Sequence, residues 1–64
     1  MNNLTEREKD VFFYLVKGYK NEDIGKELCI SKHTVKSHVS VILRKLECKD
    51  RTEAAYLAGK YNII

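Results

Sequence analysis

Proline is absent from this chain, and 64 residues contain only three glycines and two cysteines. So few chain-breaking residues favour an all-α domain. Cys29 and Cys48 form no CxxC or other metal spacing, and a single bridge would be a thin framework for a secreted mini-protein. The expected state is therefore reduced and cytoplasmic, with both cysteines acting as small, partly buried apolar residues. No apolar run approaches the ~18 residues of a membrane span, so no membrane partner is expected. Met1–Asp10 is polar and mixed in charge, whereas a secretory signal places an apolar stretch behind a basic start. Internal repeats, low-complexity tracts and linkers are also missing, which makes residues 1–64 one domain. At 44% hydrophobic the chain is too apolar for a disordered tail. A chain this short nevertheless buries only about 60% of its unfolded surface, so it needs well-formed helices, a partner or a staple.

The most informative absence is local. Residues 31–46 contain Lys32, Lys36, Arg44 and Lys45 and no acid, whereas acids slightly exceed bases in residues 1–30 and balance them in residues 47–64. One sixteen-residue segment thus more than accounts for the net charge of +3. His33 and His38 lie in it as well. A basic stripe on an otherwise balanced chain points to a polyanion, the plain alternative being a solvated helix face.

Caps and hydrophobic periods mark four helices, at roughly 6–17, 22–28, 32–46 and 51–59. Thr5-Glu6-Arg7-Glu8 is a capping box, and Phe12, Leu15, Val16 and Tyr19 recur behind it at helical spacing. Gly18 then supplies a left-handed exit. Asn21 is the expected cap of the short second helix, in which Gly25 fits close approach to a neighbouring helix. Ser31 caps helix 3, where Val35, Val39, Ile42, Leu43 and Leu46 form one buried stripe. At 100° per residue the opposite side carries His33, Lys36, Ser37, Ser40 and Arg44, with Thr34, His38 and Lys45 on its shoulder. Asp50-Arg51-Thr52-Glu53 is a second capping box, opening a helix of Ala54, Ala55, Leu57, Ala58 and Tyr61.

Helices 2 and 3 are separated by three or four residues, the spacing of a helix-turn-helix. In that motif the second helix enters the major groove, which requires an aliphatic anchor on one side and an acid-free side opposite. Helix 3 has both. The string Leu4-Thr5-x-Arg7-Glu8, Gly18, Asn21, Ile24, Leu28, Ile30-Ser31 continues as Thr34-Val35-Lys36-x-His38-Val39, Ile42, Lys45-Leu46 and Arg51-Thr52-Glu53-Ala54. It resembles the LuxR/GerE-type helix-turn-helix domain, found in stand-alone regulators and at the C-terminus of quorum-sensing receptors and NarL-type response regulators. The match runs without a gap from residue 4 to about 58.

The resemblance implies a four-helix domain that binds double-stranded DNA and regulates transcription, without catalytic residues, metal or cofactor. Base contacts would fall on Lys36, Ser37 and Ser40. Contacts to the DNA backbone would come from Asn21, Ser31, Lys32, Thr34, His38, Arg44 and Lys45. A homodimer would form through helix 4 at Ala54, Leu57, Ala58 and Tyr61. Two positions depart from the family pattern and bear on the fold. Gly25 replaces a usual alanine, and Glu47 stands where glycine is common and would either turn left-handed at a cost or end helix 3 differently. Ser40 is shorter than usual, and Phe13 occupies a position that is typically charged.

Other readings of the same residues differ in kind. A metal or catalytic role for His38 lacks a second ligand at metal spacing, since His33 lies about 140° around the helix. Ser37 beside His38 is no nucleophile pair, because adjacent helical residues point apart. Phe13 would suit contact with another domain, RNA polymerase or a larger regulator, or would be an ordinary surface apolar residue. The rival function is a helical protein-interaction module that pairs with another regulator and modulates it without binding DNA.

Overall fold

A computed structural model describes residues 3–61, apart from the side chain of Tyr61. Within them lie α1 (Glu6–Val16), α2 (Asn21–Leu28), α3 (Lys32–Lys45) and α4 (Arg51–Tyr61), with no strand among the described residues. The first three helices match their expected bounds to within one residue, and α4 runs two residues beyond Gly59.

Most of the predicted caps form. The Glu8 amide donates to Thr5 Oγ1 at 3.1 Å and the Thr5 amide to Glu8 Oε1 at 2.9 Å, closing both halves of the capping box. Ser31 Oγ accepts from the Thr34 amide at 3.0 Å and opens α3. Asp50 Oδ1 accepts from the Glu53 amide at 2.9 Å, but the Glu53 carboxylate takes the Lys49 amide, one residue earlier than a capping box places it. The second helix differs. Lys20 is its N-cap and makes no side-chain cap, while Asn21 is already helical because its amide oxygen is bonded to Arg51.

Helices α1, α2 and α3 stop in the same way. The amides of Tyr19, Ile30 and Cys48 bond back to the carbonyls of Tyr14, Gly25 and Leu43, with Gly18, Cys29 and Glu47 left-handed at the corner. That six-to-one bond around a left-handed residue is the Schellman stop. Glycine takes such a corner freely, but Cys29 at φ 58° and Glu47 at φ 57° bear a Cβ penalty there. The corner also corrects the reading of Cys29, whose thiol residue is exposed instead of partly buried; Cys48 is half-buried as expected. Glu47→Gly is expected to raise stability by about 0.5–1 kcal/mol, the left-handed penalty less the added freedom of the unfolded chain. A urea midpoint that stays put or falls would show that the corner is not strained.

The core is built from Leu4, from Val11, Phe12 and Leu15 of α1, and from Ile24 of α2. Val35, Val39 and Ile42 of α3 and Ala54 and Ala58 of α4 complete it. Leu43 and Leu46, read as part of the buried stripe, sit half-buried at its margin because the stripe centres on Val35, Val39 and Ile42. Gly25 permits close approach, here to the following turn: a Cβ on it would lie 2.6 Å from the Ile30 carbonyl oxygen. α3 packs against all three other helices, so its inner side is held and its outer side is left to solvent.

Candidate nucleic-acid interface

Two long-range clamps hold the helix-turn-helix. In the first, Lys45 at the end of α3 donates to Glu8 Oε1 at 2.8 Å and to the Asn3 carbonyl at 2.9 Å. Glu8 is 7% exposed, so its charge needs these donors. The Lys45 hydrogen bond, then the Thr5 amide, hold its carboxyl below the ordinary carboxylate range against the opposing effect of burial. In the second clamp, Arg51 at the start of α4 donates through Nη1 to Asn21 Oδ1 at 2.7 Å and through Nη2 to the Tyr19 carbonyl at 2.8 Å. The clamps fix α3 and α2 at opposite ends against the rest of the domain.

The exposed side of α3 carries Lys32, His33, Thr34, Lys36, Ser37, Ser40 and Arg44. Lys32, Lys36 and Arg44 have no ion-pair partner among the described residues, and no acid lies on the helix. Lys36 and Ser40 are one turn apart with Ser37 beside them, so the three form the middle of the exposed surface. Ser31 and Thr34 are joined at its start, Ser31 Oγ donating to Thr34 Oγ1 at 2.9 Å. His38 is half-buried and close enough to Glu8 to favour its charged form.

The structure sorts the remaining expected site residues differently. Lys45 is exposed like its α3 neighbours, but its ammonium is bonded to Glu8 and to the Asn3 carbonyl. Ala54 and Ala58 are buried in the chain's own core because they face α1 and α3, and so offer no surface to a second copy. Leu57 is half-buried, and the Tyr61 side chain lies outside the described residues. Sequence reasoning missed the clamps themselves. Glu8 had a role as half of a capping box, and Arg51 was part of the family pattern, but nothing in the local spacing joins either to a partner 30 or 37 residues away.

The arrangement is that of a helix-turn-helix with one exposed, acid-free helical side, and known proteins place it in a family. The family model of bacterial regulatory proteins of the luxR family matches residues 2–58. The chain is 53% identical over 60 residues to the uncharacterized transcriptional regulatory protein YhcZ of Bacillus subtilis, a match covering 94% of this chain and 28% of that protein. It is 48% identical over 61 residues to the response regulator protein VraR of Staphylococcus aureus, covering 95% of this chain and 29% of that protein. VraR of Staphylococcus epidermidis gives the same figures. The chain thus spans under a third of the length of these curated relatives. A family match over residues 2–58, which takes in α1, α2, α3 and most of α4, makes this chain a member of the luxR family of bacterial regulatory proteins.

Proposed function

We propose that the chain binds double-stranded DNA in the cytoplasm as part of a transcription regulator, with α3 in the major groove. The observation that carries this reading is the exposed side of α3, where Lys32, Lys36 and Arg44 stand without ion-pair partners on a helix that carries no acid. Lys36, Ser37 and Ser40 read base edges: the lysine donates to guanine O6 and N7, and the serines, being short, let the helix backbone approach closely. Asn21, Ser31, Lys32, Thr34, His38, Arg44 and Lys45 meet the sugar–phosphate backbone. Lys45, also bonded to Glu8, ties the end of the groove helix to α1. A homodimer through α4 belongs to the same reading, with Leu57 and Tyr61 remaining for the contact once Ala54 and Ala58 are assigned to the core.

Lys36→Ala is expected to weaken specific binding by about 1–3 kcal/mol. Arg44→Ala is expected to weaken binding to every sequence and to lower the salt slope by about one. Fluorescence-anisotropy titration of a random-sequence duplex at several salt concentrations measures the second effect, and titration of a selected operator measures the first. A folded protein with no salt-dependent binding would overturn the proposal in favour of a module that pairs with another regulator.

A further inference from the structure

Arg51 and Asn21 stand 30 residues apart in sequence and 2.7 Å apart in the structure. A guanidinium has donors only, so the amide of Asn21 can face Arg51 in one orientation, with Oδ1 toward it. The two N–H bonds of Nδ2 are thereby directed to the other side of the amide, where no acceptor lies within hydrogen-bond reach among the described residues. A free asparagine amide flips between two nearly equivalent orientations, and only one of them offers donors to an anion. Arg51 removes that choice. Its other arm, on the Tyr19 carbonyl, anchors the guanidinium to the turn that leads into α2, so it cannot follow Asn21 outward.

The surroundings suit an anion. Asn21 lies at a depression lined by Leu15, Val16, Tyr19 and Ala55, whose charged residues are Lys20, Lys32 and Arg51 against Glu22 alone. α2 begins beside it without a side-chain cap, so no side-chain oxygen of its N-cap residue occupies its first backbone N–H groups. We infer that Arg51 is a positioning residue for the DNA backbone contact of Asn21: it holds the amide with Nδ2 presented to a phosphate and does not touch the phosphate itself. The inference rests on the DNA-binding reading given above.

The discriminating variant is Asn21→Asp. A carboxylate accepts from Arg51 at least as well as the amide oxygen does, so the clamp and the fold survive. The donor facing the phosphate, however, becomes a negative charge. Kd for a random-sequence duplex is expected to rise about tenfold or more, with the melting temperature equal to or above that of the parent. Asn21→Ala and Arg51→Ala should each weaken binding several-fold, and the double variant should bind no more weakly than Asn21→Ala alone, since Arg51 acts only through Asn21. Losses that multiply, with a salt slope lowered by about one in Arg51→Ala, would show that Arg51 meets a phosphate directly and would overturn the inference. Parental affinity in Asn21→Asp, while Arg44→Ala loses affinity, would overturn it and leave the DNA-binding proposal standing. Parental affinity in both would remove the proposal on which it rests.

Discussion

Phe12→Ala is expected to leave a large part of the population unfolded at 25 °C. Phe12 is 1% exposed and is among the largest fully buried side chains of the domain. Truncating a buried phenylalanine costs about 3–5 kcal/mol, part from lost burial and part from the cavity left behind. At roughly 0.05–0.15 kcal/mol per residue, a chain of this length has only about 3–10 kcal/mol in total. The two ranges overlap, so one side chain can decide whether the domain folds. Urea titration followed by far-ultraviolet circular dichroism measures the loss, and a parental midpoint would mean that the core is centred elsewhere. Leu43→Ala is the useful contrast. Leu43 is half-buried at the margin, and its truncation should cost distinctly less than that of Phe12.

Lys45→Met should have the next largest effect, for an electrostatic reason. The change retains much of the side-chain length and removes the charge, leaving the buried Glu8 carboxylate with the Thr5 amide as its remaining donor. Breaking a buried ion pair from one side costs about 3–5 kcal/mol; the partial exposure of Lys45 puts the expected loss near 3. The double variant Glu8→Gln with Lys45→Met should recover part of it, because no buried charge is left without its partner.

The same pair sets a pH dependence whose sign follows from Glu8. Its carboxyl is held below the ordinary range in the folded protein, chiefly by Lys45. On acidification the unfolded chain therefore binds this proton first. The contribution of Glu8 is complete above the ordinary carboxylate value of about 4 and is lost as pH falls through the folded value. In Lys45→Met that support is missing and burial favours the neutral acid. The stability gap between parent and variant should accordingly narrow between about pH 7 and pH 3. A gap of constant width would show that Lys45 stabilises by packing alone.

These two predictions mark how far the sequence could be read. Features that depend on neighbours in the chain were legible: the capping box at Thr5, the cap at Ser31, and the left-handed corners at Gly18 and Glu47. The position of the acid-free side of α3 followed in the same way, from helical geometry applied to a run of residues. Most of the contacts that misled or escaped are long-range. Asn21 has the composition of a cap, but a guanidinium from α4 occupies its oxygen and the cap position falls on Lys20. Ala54 and Ala58 form a small-residue stripe that suits a dimer seam or a core equally well, and only the packing of α4 on α1 and α3 assigns them inward. Lys45 belongs by spacing with the other α3 cations, and only the return of α1 past its tip separates it from them.

Arg44 and Lys45 are exposed neighbours in sequence, yet only Lys45 is bonded back to α1, through Glu8. Lys36, Ser37 and Ser40 lie wholly on the solvent side and make no side-chain hydrogen bond to the other described residues. Those three positions can therefore be randomised together as a library without sacrificing the scaffold, since exposed substitutions of this kind change stability by about 0.5 kcal/mol or less. The domain offers a small writable surface on a fixed support, so that, on the proposed reading of α3, new target preferences could be selected in a 64-residue frame.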